Sequence, residues 1–270
     1  MEKKYIGIGV ASGLVAGLAS FAYARLEISP LIDQAIGYEE GRAHAEAALT
    51  GEHGHAHEVF TRALQENIGA GVGTLVFGVV MGALFAVVFS VLRAVLRRHG
   101  MAVDPRAAAV LLAVAAFVST TVIPSLAFPP NPPGVGLEET IGDRTTAYLA
   151  IVVSSVVLAV AAVSAGLRSA PRIGGWQSGI AATAGYLVAV ATVMALMPSF
   201  HEVPGPMAGP DGEIVFPGFP AEVLSNFRID SLLTQAILWS VIAAGFAVML
   251  PRTARHDSAT PFVGAAHGDR

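Results

Sequence analysis

Cysteine is absent from the 270-residue chain, which excludes disulfides, thiolate metal ligands and thiol catalysis. Charge is scarce: 13% of residues are Asp, Glu, Lys or Arg, against about a quarter in an ordinary soluble domain. Lysine occurs only as Lys3 and Lys4. Phosphate loops of the Gly-x-x-x-x-Gly-Lys type are missing, as are His-Glu-x-x-His and Gly-x-Ser-x-Gly patterns. The glycines at Gly69, Gly71 and Gly73 open an apolar run with no preceding strand, so helix packing is their expected use. No enzymatic class is expected, no organic cofactor, and, at a pI of 6.0, no nucleic-acid partner.

What replaces charge is hydrocarbon. Hydrophobic residues make up 54% of the chain, and the mean hydropathy is +0.63. They fall in blocks of about 20 residues, the length that crosses about 30 Å of hydrocarbon at 1.5 Å per residue. The expected fold is an all-α membrane protein, a six-transmembrane-helix bundle in the lipid bilayer of the cell membrane. The spans are expected at about 5–26, 69–92, 107–128, 146–167, 178–197 and 231–250. Residues 1–250 then form one polytopic domain, and 251–270 a disordered cytoplasmic tail. Lys3-Lys4, the first run and Ala22-Tyr23-Ala24 also imitate a cleavable signal peptide. The length of that run, and Gly9, Gly13 and Gly17 at four-residue spacing, favour a retained span that packs closely on a neighbour.

Basic residues set the orientation. The N-terminus, the second-to-third and fourth-to-fifth loops and the tail hold Lys3, Lys4, Arg93, Arg97, Arg98, Arg106, Arg168, Arg172, Arg252, Arg255 and Arg270. The other three loops hold only Arg42, Arg62, Arg144 and Arg228. Both termini are therefore expected inside. The outer loops carry sixteen of the twenty acidic residues, a field that concentrates cations. Within the outer loop 27–68, Glu52-His53-Gly54-His55-Ala56-His57-Glu58 alternates ligand-type residues with small ones. In an extended strand His53, His55 and His57 share a face. With Glu52, Glu58 and His44 they suit a first-row divalent ion, and Co²⁺, Ni²⁺ and Zn²⁺ all remain open. A solvated loop or a pH-sensing one would read the same way.

The odd-numbered spans end alike, through Ser29-Pro30, Ile123-Pro124 and Met197-Pro198, and each following span is preceded by an arginine: Arg62, Arg144 or Arg228. Three helical hairpins with pseudo-threefold symmetry would explain this, as would the ordinary preference of proline for helix ends. Arg144, Arg228, Glu202, His201 and Gln235 would then surround an outer vestibule. Intramembrane carboxylates, the mark of a proton-coupled pump, are not evident. Potential-driven entry of a divalent cation needs none, gaining about 4.6 kcal/mol per 100 mV.

The chain resembles the CbtA-type cobalt transporter subunits over residues 5–250. The resemblance rests on Ser29-Pro30-Leu31-Ile32, Tyr38-Glu39, the His53/His55/His57 loop, and Pro124, Leu126, Pro129-Pro130 and Pro133-Gly134 before Arg144. It continues through Pro198, Pro204, Phe216-Pro217, Phe219-Pro220-Ala221, Phe227-Arg228, Ser231-Leu232 and Trp239. It implies uptake of Co²⁺ as substrate together with a small single-helix CbtB-type partner. The first outer loop departs from the family in being alanine-rich instead of densely histidine-rich. A non-transporting membrane protein that senses or buffers metal for a partner is the alternative reading, and homo-oligomerisation is left open.

Overall fold

The computed structural model describes residues 2–51 and 69–250. It is helical apart from one short β-hairpin, and six of its helical stretches are long and apolar enough to cross a membrane. Helix α1 (Glu2–Tyr23) runs through a π turn (Ala24–Ile28) into α2 (Ser29–Thr50). Then come α3 (Ala70–Arg98), α4 (Pro105–Phe117), a second π turn (Val118–Val122) and α5 (Ile123–Ala127). A 3₁₀ turn (Glu138–Thr140) leads into α6 (Ile141–Ile173), followed by α7 (Gly175–Ala195). Strands β1 (Met207–Ala208) and β2 (Ile214–Phe216) pair antiparallel before α8 (Ala221–Met249). Apolar rows such as Val153, Val157 and Val160 on α6 are exposed. Such rows are a liability in water and the natural lining against lipid.

Three expectations need correcting. Residues 29–50 were expected in an outer loop and are helical. Their Ala and Glu content favours helix, and Leu31, Ala35 and Tyr38 bury one face. Through the π turn, Lys3–Thr50 forms one helical run about 70 Å long, more than twice a bilayer core. Second, α8 starts about ten residues earlier than expected, so Arg228 and Asp230 lie on a helix and not on a connection. Third, the first and second spans pack closely as a hairpin, but the fifth and sixth do not. The fourth and fifth spans, α6 and α7, pair closely, whereas α8 packs on α1 and α4. Gly174, at φ 85°, is the whole link between α6 and α7, which forces them side by side. Gly166, Ala182 and Ser178 keep that interface thin, and the Ser178 hydroxyl donates to the Gly166 carbonyl.

The glycine spacing of α1 has its expected use. A Cβ on Gly9 or Gly13 would collide with the carbonyl oxygen of Gly82 or Gly78, and one on Gly17 would stand 2.9 Å from the Thr74 oxygen. Two four-residue glycine series thus face each other, and α1 packs as an integral member of the bundle. Beside this seam lies the main core, where Phe85, Phe89 and Phe246 meet with centroids 4.9–6.3 Å apart. At the adjacent, arginine-rich end, Arg106 donates to the carbonyl of Leu250, the residue that follows α8, from Nε (3.0 Å) and Nη2 (2.7 Å). A cation at a helix C-terminus is favourable.

Both π turns have one cause. Each directly precedes a helix with proline in its first turn, Pro30 or Pro124. Proline has no N–H and crowds the carbonyl one turn back, so the preceding turn widens. Ser29 and Ile123 donate five residues back, to Ala24 and Val118. Both turns touch α8.

Candidate functional site

At the proline-rich end, four separate stretches enclose an open cavity of about 400 Å³. Its first wall is the end of α5 and the loop after it, with Phe128, Pro129, Asn131 and Val135. The second is one face of α6, where Ile141, Arg144, Thr145 and Tyr148 recur at three- and four-residue spacing. The third is Phe200, Glu202 and Val203, and the fourth is Arg228 on α8. Phe128 and Phe200 lie 6.1 Å apart.

Glu202 organises one side. Its Oε2 accepts from the Leu137 N–H (2.9 Å) and the Thr140 hydroxyl (2.9 Å) and stands 3.4 Å from Arg144 Nε. The Leu137 amide is the main cause holding this carboxyl below its ordinary range; partial burial works the other way, and Thr140 and Arg144 add to the lowering. Its backbone carbonyl also accepts from Gly136 N–H (3.2 Å). Gly136 has φ 116°, and a Cβ there would strike the Arg144 guanidinium. Only glycine lets this loop lie over the arginine. Arg144 Nη2 donates to the Leu137 carbonyl at 3.0 Å. Across the cavity, Arg228 donates from Nε (3.2 Å) and Nη2 (2.8 Å) to the single Oδ1 of Asn131.

A cap packs beside the cavity. Tyr38 on α2 packs at an angle against Phe216 and Phe219 (centroids 5.3 and 4.9 Å) and donates to the Pro217 carbonyl at 3.1 Å. Arg42 Nη1 donates to the Tyr38 hydroxyl (3.3 Å) and the Gly205 carbonyl (2.9 Å). Tyr38, Leu31, Val135, Phe219 and Val223 share one small core. Several residues that carried the family resemblance are therefore neighbours in space.

The chain belongs to the CbtA family. The family profile, described as "Probable cobalt transporter subunit (CbtA)", matches residues 2–251. No curated protein and no solved structure matches. CbtA is a transporter family and not an enzyme family, so the chain is a multi-pass membrane protein of a cobalt transport family, and the word subunit implies partners.

Of the residues expected around an outer vestibule, the cavity gathers Arg144, Glu202 and Arg228. It does not gather His201, which is exposed, or Gln235, which lies seven residues past Arg228 on α8, about 10 Å along its axis. His44 is exposed on α2. Glu52, His53, His55, His57 and Glu58 lie outside the described residues, among which no group of three or more His, Asp or Glu could hold a metal. Sequence reasoning missed Asn131 and the aromatic walls, and it missed a contact at the first π turn: Tyr23 Oη donates to Asp230 Oδ1 at 2.8 Å, joining α1 to α8. Proline inside an otherwise helical run was the available signal for both π turns.

Proposed function

We propose that this chain is the membrane-embedded subunit of a divalent-metal uptake system in the cell membrane, with cobalt as cargo and a small single-helix CbtB-type partner. The observation that carries the reading is the CbtA match across residues 2–251, nearly the whole bundle. Both termini face the cytoplasm, as the distribution of arginine supports. The acidic outer face concentrates cations, and Glu52, His53, His55, His57 and Glu58, helped by His44, capture them. The cavity of Arg144, Glu202 and Arg228 is the vestibule beneath.

Below it, the two π turns flank α8. Each proline leaves one carbonyl of the preceding turn without its helical donor, an oxygen ligand of the kind a permeating cation needs. Ser119 and Thr121 are buried in the second turn, and Asp230 stands at the first. Asp230, which the sequence reading counts among the outer carboxylates, stands on α8 at the head of this path.

Purified chain, alone and with its partner, reconstituted in vesicles holding a metal-sensitive dye, should pass Co²⁺ inward under a negative-inside potential. The two arginines at the cavity favour the second reading, a metal-buffering protein that passes no ion itself. That protein would bind Co²⁺ at the loop and give no flux with or without the partner.

A further inference from the structure

We propose that the cavity binds a small organic di- or tricarboxylate through Arg228, either as the free anion or as the chelating companion of the metal. The charge of the lining decides the sign. Arg144 is matched by Glu202, at 3.4 Å. Arg228 has the neutral Asn131 amide as its polar partner and makes no ion pair among the described residues. With two arginines and one carboxylate the lining keeps one net positive charge, which attracts an anion, and a bound di- or tricarboxylate turns the vestibule neutral or negative toward an arriving Co²⁺.

The geometry of Arg228 sets the chemical class. Asn131 accepts from Nε and Nη2, fixing the plane of the guanidinium by one edge. The Nη1–Nη2 edge is the fork that receives a carboxylate with two parallel hydrogen bonds. Size and walls suit an organic anion better than an inorganic ion. A cavity of about 400 Å³ has room for one small organic molecule. Phe128, Phe200 and Tyr148 offer apolar surface for a carbon skeleton. A one-to-one complex of Co²⁺ with a tricarboxylate carries one net negative charge, complementary to the lining.

This names the ligand class of the proposed vestibule and rests on the transport reading only for the metal. The test is calorimetric titration of the purified full-length chain in detergent with three probes: citrate, Co²⁺, and equimolar cobalt–citrate. Saturable binding is expected for cobalt–citrate or citrate, weakened at least tenfold by Arg228→Gln and less by Arg228→Lys, which keeps the charge but loses the fork. Co²⁺ binding should be unaffected by either substitution. Equal affinity for citrate with and without metal identifies the free anion as ligand; binding of the complex alone identifies the chelate. Neither probe binding, or affinities unchanged in a folded Arg228→Lys protein, overturns the proposal. Vesicle flux without citrate binding removes this inference and keeps the transport reading, and citrate binding without flux does the reverse.

Discussion

Arg144 Nε lies 3.4 Å from Glu202 Oε2, and this pair ties the start of the fourth span to the loop between the fifth and sixth. Both side chains are partly shielded from solvent, at 27% and 12% exposure, and both line the cavity. The pair is the point at which loops far apart in sequence become one wall.

Glu202 should make that wall pH-dependent. A carboxyl whose folded pKa lies below its ordinary value of 4.5 adds stability that is complete above that value. The contribution disappears as pH falls through the lower, folded value. Glu202→Gln should therefore lower the melting temperature at neutral pH, and the gap from wild type should narrow only below the ordinary carboxylate range. A gap that closed well above 4.5 would contradict the assignment.

The glycine seam predicts a sharp positional contrast. Gly13→Val or Gly78→Val places methyl groups against backbone of the facing helix and should cost about 1–3 kcal/mol or more. Gly7→Val is the control, because a Cβ at Gly7 meets nothing within 4 Å. Thermal unfolding in detergent should show a large loss for the first two and little change for the third.

Pro124 should separate stability from transport. Pro124→Ala restores the missing N–H and lets the Val118–Val122 turn relax toward α-helix, which offsets the loss of a few buried ring carbons. The variant should melt no lower than wild type, yet pass less Co²⁺ in vesicles. Undiminished flux would remove the π turn from the ion path.

His53, His55 and His57 are predicted to capture the metal. Their joint replacement by alanine should weaken Co²⁺ binding by more than about tenfold, or about 1.4 kcal/mol, in calorimetry. Unchanged binding would make the segment an ordinary solvated loop.

The six spans were legible because hydrocarbon thickness dictates a block length that sequence displays directly. Their ends were not, because helix continues wherever backbone bonds can be made, whatever the polarity. Arg93, Arg97 and Arg98 stay on α3, and Arg228 and Asp230 on α8. Proline misled in the same direction: Pro30 and Pro124 read as exits, but a π turn absorbs each within one helical run. The pairing of α6 with α7 follows from the one-residue link at Gly174, which nothing in a hydropathy profile singles out. Arg144, Glu202 and Arg228 were marked by their position beside span ends. Asn131, Phe128 and Phe200 come together only once the loops fold over one another.

Cobalt flux tests the central claim most directly. Vesicles containing the chain and its partner, held at about −100 mV inside, should accumulate Co²⁺ up to about a thousandfold and stop when the potential is collapsed. Entry at the rate of protein-free vesicles, with folded chain and partner both present, would contradict the account.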